Sequence, residues 1–182
     1  MIYTDFLELS NSENPMFVNY VLLSLFLGQR RNNILSMRWS DIDFAQGRVH
    51  FADTKNGEPL TVPLTVQAQE LLLNMYNNRT SDKWVLPSST SATGHYQEPK
   101  TAWKGLLNRA GITNLRIHDL RRTMGSYQAI SGTSELIIGR SLGHKSLTAT
   151  QIYARLSDDP VRESMQRGTN LIMGFVESED NK

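Results

Sequence analysis

The sequence contains no cysteine, which excludes a disulfide framework, a thiol nucleophile and a thiolate metal site. It also lacks an apolar run long enough to span a bilayer. Its start, "MIYTDFLELSNSE", carries acidic residues where a secretory signal has basic ones. These absences predict a protein of the cytoplasm that has no membrane partner.

Three familiar catalytic motifs are also missing: the GxSxG nucleophile elbow, the GxxxxGK phosphate loop and the HExxH zinc helix. The four histidines are scattered along the chain, so a closed metal site is not expected. Asp41 and Asp43 would suit a magnesium ion, but their position favours a turn between a helix and a strand. We therefore predict neither a metal nor another cofactor.

The net charge of +1 conceals an uneven distribution of charge. Residues 21–155 carry 16 basic and 9 acidic side chains, an excess of seven, whereas both ends of the chain are acidic. A basic central region can neutralise phosphates, which favours a nucleic-acid partner. A solvated surface explains the same charges equally well.

The length of 182 residues and a hydrophobic content of 39% fit one compact domain. Apolar residues at helical spacing predict most of the chain to be helical, with proline near one helix start and glycines after several helix ends. Alternating segments on either side of "KNGE" predict a β-hairpin with Asn56 and Gly57 in its turn. The predicted fold class is α+β, mostly helical with one small antiparallel β-sheet.

Two basic residues of "IHDLRRT", His118 and Arg121, lie three positions apart and therefore share one face of a predicted helix. An imidazole and a guanidinium on one face can both donate hydrogen bonds to one anion, and a guanidinium matches two oxygens of a phosphate. An isolated pair of this kind is more often part of a charged, solvated helix surface.

Further candidates follow from position. Arg30 comes directly after the first buried helix, where packing can hold its side chain at a cleft, and Lys55 lies beside the hairpin tip. Each alone is more often a solvated residue. In "LGHKSLTATQIYARL", His144 directly follows a glycine. Since the sequence lacks cysteine and the GxSxG motif, Tyr153 of the same segment is the candidate nucleophile. Because a tyrosine has an ordinary pKa of about 10, it attacks readily only where cations stabilise its oxyanion.

Taken together, these motifs resemble the catalytic domain of the tyrosine recombinases, the phage integrase family. The likeness covers about residues 15–157 and rests on "FLGQRRNNILSMRWSDIDF", "TKNGEPLTVPL", "IHDLRRT" and "SLGHKSLTATQIYARL", in that order. The resemblance implies an integrase-like fold of the DNA breaking-rejoining enzymes. It also implies six catalytic residues: Arg30, Lys55, His118, Arg121, His144 and Tyr153.

In the roles that the resemblance implies, the two arginines and two histidines bind the scissile phosphate. Lys55 protonates the departing 5′ oxygen, and Tyr153 attacks phosphorus to form a 3′-phosphotyrosyl link. The implied activity is site-specific DNA recombination or integration, without metal or ATP, on double-stranded DNA. Such an enzyme would be encoded by a bacterium or a phage and would act at the nucleoid.

The sequence departs from the family pattern in two ways. Asn33 stands where most members have an acidic residue, so the group expected to orient Arg30 has lost its charge. We also expect the helical core-binding domain that usually precedes the catalytic domain to be absent from residues 1–182. These departures leave open an integrase-like DNA-binding module or prophage remnant without productive cleavage. A relaxing enzyme of the type IB topoisomerase kind is a third interpretation.

The tail, residues 158–182, is predicted to include a helix. This helix would pack either on its own core or, as the resemblance implies, on a neighbouring protomer in a tetrameric assembly on DNA.

Overall fold

The computed structural model describes residues 14–52, 58–97, 99–144, 147–152, 165, 166 and 168–170. The α-helices whose first and last residues are both described are α1 (Pro15–Leu27), α2 (Arg31–Leu35), α3 (Val66–Asn77), α4 (Lys100–Arg109), α5 (Asp119–Ile130) and α6 (Glu135–Leu142). Its strands are β1 (Ile42–Asp43), β2 (Arg48–Phe51) and β3 (Leu60–Pro63). The predicted fold class, helical with a small antiparallel sheet, is confirmed.

Helix α1 forms the centre of the core. The Asn14 side chain accepts a hydrogen bond of 2.9 Å from the Met16 backbone N–H, and Pro15 occupies the first turn, where its missing N–H costs nothing. The helix packs against α2, α3 and α5. Its buried residues are Phe17, Tyr20, Val21, Leu22, Leu23, Ser24 and Leu27. Burial on most sides explains why this segment is nearly uniformly apolar.

The sheet has the order β1-β2-β3, and both pairings are antiparallel. Val49 of β2 lies opposite Val62 of β3, and both are buried, whereas Arg48 and His50 face solvent. The two arms of the predicted hairpin are confirmed, while its turn lies outside the described residues. Strand β1 was not predicted, because two residues are too short to show an alternating pattern.

The spacing of Ile34, Leu35, Arg38 and Trp39 predicts one short helix over this segment. Helix α2 instead ends at Leu35. The Trp39 backbone N–H donates to the Lys83 carbonyl at 3.1 Å, and the Val85 N–H donates to the Met37 carbonyl at 3.0 Å. These bonds hold the chain beside residues 83–85. A partner distant in sequence therefore takes the backbone groups that a longer helix would have used.

The sequence predicts four further helices, in the segments that begin "VQAQ", "KTAW", "IHDL" and "SELI", and the structure has α3, α4, α5 and α6 there. The Thr65 hydroxyl accepts a hydrogen bond from the Ala68 N–H at the start of α3. Helix α4 buries Trp103 and Leu106 on the main core. Helices α5 and α6 share a smaller apolar cluster of Ala129, Ile138 and Leu142. This cluster fixes the C-terminal end of α6, on which the site described below depends.

Five residues of the predicted tail are described, and they are helical: Met165, Gln166 and residues 168–170. The rest of the tail, and hence its packing, lies outside the described residues. Within the described ranges, no helix combines the length and the hydropathy needed to cross a membrane.

Candidate active site

Three helices meet at the turn that ends α1. Gly28 adopts a left-handed conformation with φ of 60°, and its N–H donates to the Ser24 carbonyl. A β-carbon at this position would lie 2.8 Å from Leu142 of α6 and 2.9 Å from Met124 of α5. Both the backbone conformation and the close packing therefore require glycine here. The turn directs the following residues towards the C-terminal end of α6.

Gln29 joins this turn to α6. Its side chain is buried, and its Nε2 donates to the Leu27 carbonyl at 2.9 Å and to the Ser141 carbonyl at 2.8 Å. One amide group thus uses both of its N–H donors to connect the end of α1 with the last turn of α6. The relative position of these two helix ends is fixed by hydrogen bonds as well as by apolar packing.

Arg30 precedes α2 in an extended conformation. Its Nη2 donates a hydrogen bond of 3.2 Å to the carbonyl of Gly143, which ends α6. This contact uses one of the five N–H donors of the guanidinium. It places the positive charge of Arg30 at the junction between α1 and α6.

Arg121 reaches the same junction from the first turn of α5. Its side chain is only 5% exposed, and Nη1 donates to the Gly28 carbonyl at 3.1 Å. A buried guanidinium requires such partners, because an unpaired buried charge is costly. Arg121 therefore binds the turn at Gly28, and Arg30 binds the neighbouring turn at Gly143. The nearby acid Asp119 pairs with Arg116 and Arg122.

His118 occupies the cap position before α5 and is exposed at the edge of the site. Partial burial lowers its pKa below the usual 6.5, and the charges of Arg121 and Arg122 lower this pKa further. The sequence predicts this residue to lie within the helix. His118 lies instead at the cap position, one residue before α5, but its backbone is helical. It therefore stays on the same face as Arg121, as the spacing predicts.

His144 follows the left-handed Gly143 and is half-buried. Its Nδ1 lies 2.9 Å from the hydroxyl of Thr150. Burial, and then the charges of Arg121 and Arg30, lower the pKa of His144 to about 4. The imidazole is therefore neutral near pH 7, and it lies within the electrostatic reach of both arginines.

The structure thus brings together four of the six predicted site residues: Arg30, His118, Arg121 and His144. The other two, Lys55 and Tyr153, lie outside the described residues. A β-carbon at Gly143 would lie 2.6 Å from Leu60, so β3 begins beside Gly143, whose carbonyl accepts the hydrogen bond from Arg30. The described residues contain no group of three or more metal-ligating side chains. Two guanidiniums and two imidazoles form a site suited to an anion such as a phosphodiester.

The sequence model of the phage integrase family matches residues 6–159. The chain belongs to the phage integrase family. The resemblance inferred from the motifs is confirmed.

Two curated members illustrate the relationship. Prophage integrase IntF of Escherichia coli (strain K12) is 33% identical over 155 residues, which are 82% of this chain and 33% of that protein. Tyrosine recombinase XerA of Pyrococcus furiosus is 27% identical over 162 residues, which are 87% of this chain and 56% of that protein. This integrase-family chain therefore spans only part of the length of the relatives it matches.

Solved structures of integrases share the fold. The catalytic domain of bacteriophage HP1 integrase has a TM-score of 0.70 and 21% identity, over 91% of this chain and 89% of that domain. The Tn1549 transposon integrase in complex with a circular intermediate DNA has a TM-score of 0.72 and 13% identity, over 91% of this chain and 63% of that chain. The described helices and sheet therefore have the fold of integrase catalytic domains.

In this integrase-family chain, Asn33 does not support Arg30 in the expected way. Asn33 is buried, and its Nδ2 has no hydrogen-bond partner among the described residues. The hydrogen bond of Arg30 goes to the Gly143 carbonyl. Among the described contacts, Arg30 is thus held by the Gly143 carbonyl at the end of α6 rather than by Asn33.

Two residues at the site were not predicted from the sequence: Gln29 and Thr150. In the sequence, Gln29 is only one polar residue of the predicted "GQRRNN" turn. Thr150 lies in a segment that is predicted to be helical. The structure has a 3-10 turn over Leu147–Ala149 instead. A polar residue directly after a helix-ending glycine is a usable signal for Gln29. No local signal distinguishes Thr150 from its neighbour Thr148.

Proposed function

We propose that this chain is the catalytic domain of a tyrosine recombinase, which cleaves and rejoins double-stranded DNA at specific sites. The observation that carries the proposal is the convergence of Arg30 and Arg121 on the Gly28–Gly143 junction, with His144 within the electrostatic reach of both charges. Membership of the phage integrase family supports it. The proposed domain comprises residues 1–182, with its core over about 15–157.

The first proposed step is binding of the scissile phosphate. Arg30 and Arg121 would neutralise its non-bridging oxygens, and their approach from two helices would fix its orientation. Because burial holds Arg121 in place, little side-chain entropy would be lost on binding. His144 would add a neutral N–H donor, since its low pKa keeps it uncharged near pH 7. Each such donor contributes roughly 3 kcal/mol to transition-state stabilisation.

In the proposed cleavage step, the Tyr153 oxygen forms a bond to phosphorus while the bond from phosphorus to the 5′ oxygen breaks. The tyrosine proton passes to a base, for which the neutral imidazole of His118 is suited. Lys55 donates a proton to the departing 5′ oxygen. Rejoining reverses these steps when a 5′ hydroxyl from another strand attacks the phosphotyrosyl link, so no metal or ATP is consumed. The roles of Lys55 and Tyr153 are those implied by the family motifs.

The partner is double-stranded DNA in the cytoplasm of a bacterium. The Tn1549 integrase, which shares the fold, was solved in complex with DNA. The excess of seven positive charges in residues 21–155 supports the same partner. We further propose that several copies assemble on DNA as a tetramer, with the tail of residues 158–182 packed on a neighbouring copy.

The deciding experiment is a covalent trapping assay. The chain is incubated with a pool of nicked duplexes that have a randomised core, and protein-DNA adducts are separated on a denaturing gel and sequenced. The wild type is expected to give adducts with a shared site, and Tyr153→Phe none. Tyr127→Phe is the matched control, because Tyr127 is an exposed tyrosine on α5.

Two results of this assay would contradict the proposal. Adduct formation that persists in Tyr153→Phe refutes the assigned nucleophile. DNA binding without any adduct from the wild type supports a binding module that does not cleave DNA.

A further inference from the structure

Thr150 contacts His144 but is not one of the six predicted catalytic residues. Its side chain is fully buried, and its hydroxyl oxygen lies 2.9 Å from Nδ1 of His144. Space for this hydroxyl comes from Gly139 of α6. A β-carbon at Gly139 would lie 3.0 Å from the Thr150 hydroxyl oxygen. The helix therefore carries glycine where the hydroxyl approaches it.

The direction of this hydrogen bond determines what the other ring nitrogen can do. A neutral imidazole carries one N–H, on either Nδ1 or Nε2. If the hydroxyl donates to Nδ1, the proton of His144 resides on Nε2, which becomes a donor. If the hydroxyl accepts from Nδ1, Nε2 carries a lone pair and would repel a phosphate oxygen.

Burial favours the first arrangement. Among the described residues, His144 Nδ1 is the hydrogen-bond partner of the Thr150 hydroxyl. If the hydroxyl accepted from Nδ1, its own buried proton would have no acceptor among the described residues. An unsatisfied buried donor costs about 1–3 kcal/mol, which is enough to bias the tautomer strongly.

We propose that Thr150 is a positioning residue, which donates its hydroxyl proton to Nδ1 of His144 and so holds His144 as the Nε2–H tautomer. The donor is then on the side of the ring away from Thr150. The consequence for DNA cleavage rests on the proposed function, in which His144 donates to the scissile phosphate. The tautomer itself does not depend on that function.

The test is nitrogen-15 NMR of the imidazoles near pH 7, in the absence of DNA. Only four histidines are present, and loss of one signal set in His144→Gln identifies His144. The wild type is expected to show a protonated Nε2 and an unprotonated Nδ1. Thr150→Val removes the hydroxyl at nearly constant volume and should shift His144 towards the other tautomer. Thr150→Ser should retain the wild-type pattern. Thr148→Val, at an exposed threonine, is the matched control.

A protonated Nδ1 in the wild type overturns the proposal, as does an unchanged tautomer in Thr150→Val. If Thr150→Val fails to fold, the wild-type and Thr150→Ser spectra still decide the direction of the bond. A second readout is the rate of adduct formation at saturating DNA. It should fall by up to roughly a hundredfold in Thr150→Val, recover in Thr150→Ser, and leave DNA affinity little changed. Absence of adducts from the wild type would reject the proposed function but not the tautomer.

Discussion

Gly143 offers a test of how the site is held together. It ends α6 with φ of 65° and ψ of 48°, and its carbonyl accepts the hydrogen bond from Arg30. A β-carbon here would lie 2.6 Å from Leu60 Cδ2 at the start of β3. Gly143→Ala should therefore strain the backbone and push β3 away from α6.

The expected loss of stability has two parts. A non-glycine residue in the left-handed region costs about 1–2 kcal/mol. Overpacking of a buried contact costs typically about 1–3 kcal/mol. Because the atom that the new methyl group meets is the end of the flexible, half-buried Leu60 side chain, relaxation should keep the second part near the lower end. We expect Gly143→Ala to lower the free energy of unfolding by about 2–3 kcal/mol.

The measurement is urea unfolding followed by circular dichroism, with the slope against urea checked for constancy. Gly111→Ala is the matched control, since Gly111 has φ of 64° and a β-carbon added there would have no described atom within 4 Å. That variant should show the backbone cost alone, about 1–2 kcal/mol. The difference between the two variants isolates the contact with Leu60.

A double variant completes the test. In a Leu60→Ala background, Gly143→Ala should cost no more than Gly111→Ala does. Equal losses for Gly111→Ala and Gly143→Ala in the wild-type background would refute the argument from close packing. A loss well below about 1 kcal/mol for both would refute the argument from the left-handed conformation.

Two further predictions concern the same junction. The pKa of His144 is lower in the folded chain, about 4, than the ordinary value of 6.5, so the unfolded chain binds the proton more tightly. The contribution of neutral His144 to the free energy of unfolding is therefore fully present above pH 6.5 and is lost as the pH falls towards 4. The decline in unfolding free energy over this window should be shallower in His144→Gln. An unchanged pH profile in that variant would contradict the lowered pKa of His144. Gln29→Leu removes two short hydrogen bonds, one buried and one partly buried, and should lower the free energy of unfolding by about 1–3 kcal/mol in urea titrations. Gln69→Leu, which loses one 3.4 Å bond to a carbonyl, should have a smaller effect, and the opposite order would count against a bridging role for Gln29.

Much of the fold could be predicted because its signals are local. The apolar density of residues 15–27, with Pro15 at the start and Gly28 after the end, predicts α1 with its observed bounds. The alternation in β2 and β3 predicts the hairpin arms in the same way. The early end of α2 could not be predicted, because residues 83–85 take its backbone hydrogen bonds. A partner more than forty positions away leaves no periodic trace.

The motifs and their order were enough to predict the family, since Arg30, His118, Arg121 and His144 stand in recognisable segments. How these residues are held in place could not be read from those segments. Gln29 bonds to a carbonyl 112 positions away, and Arg30 to one 113 positions away. A residue's type fixes whether its side chain can donate or accept a hydrogen bond. Which group it bonds to depends on how helices that are distant in the sequence pack together. The contact between Thr150 and His144 likewise depends on how the chain folds after α6.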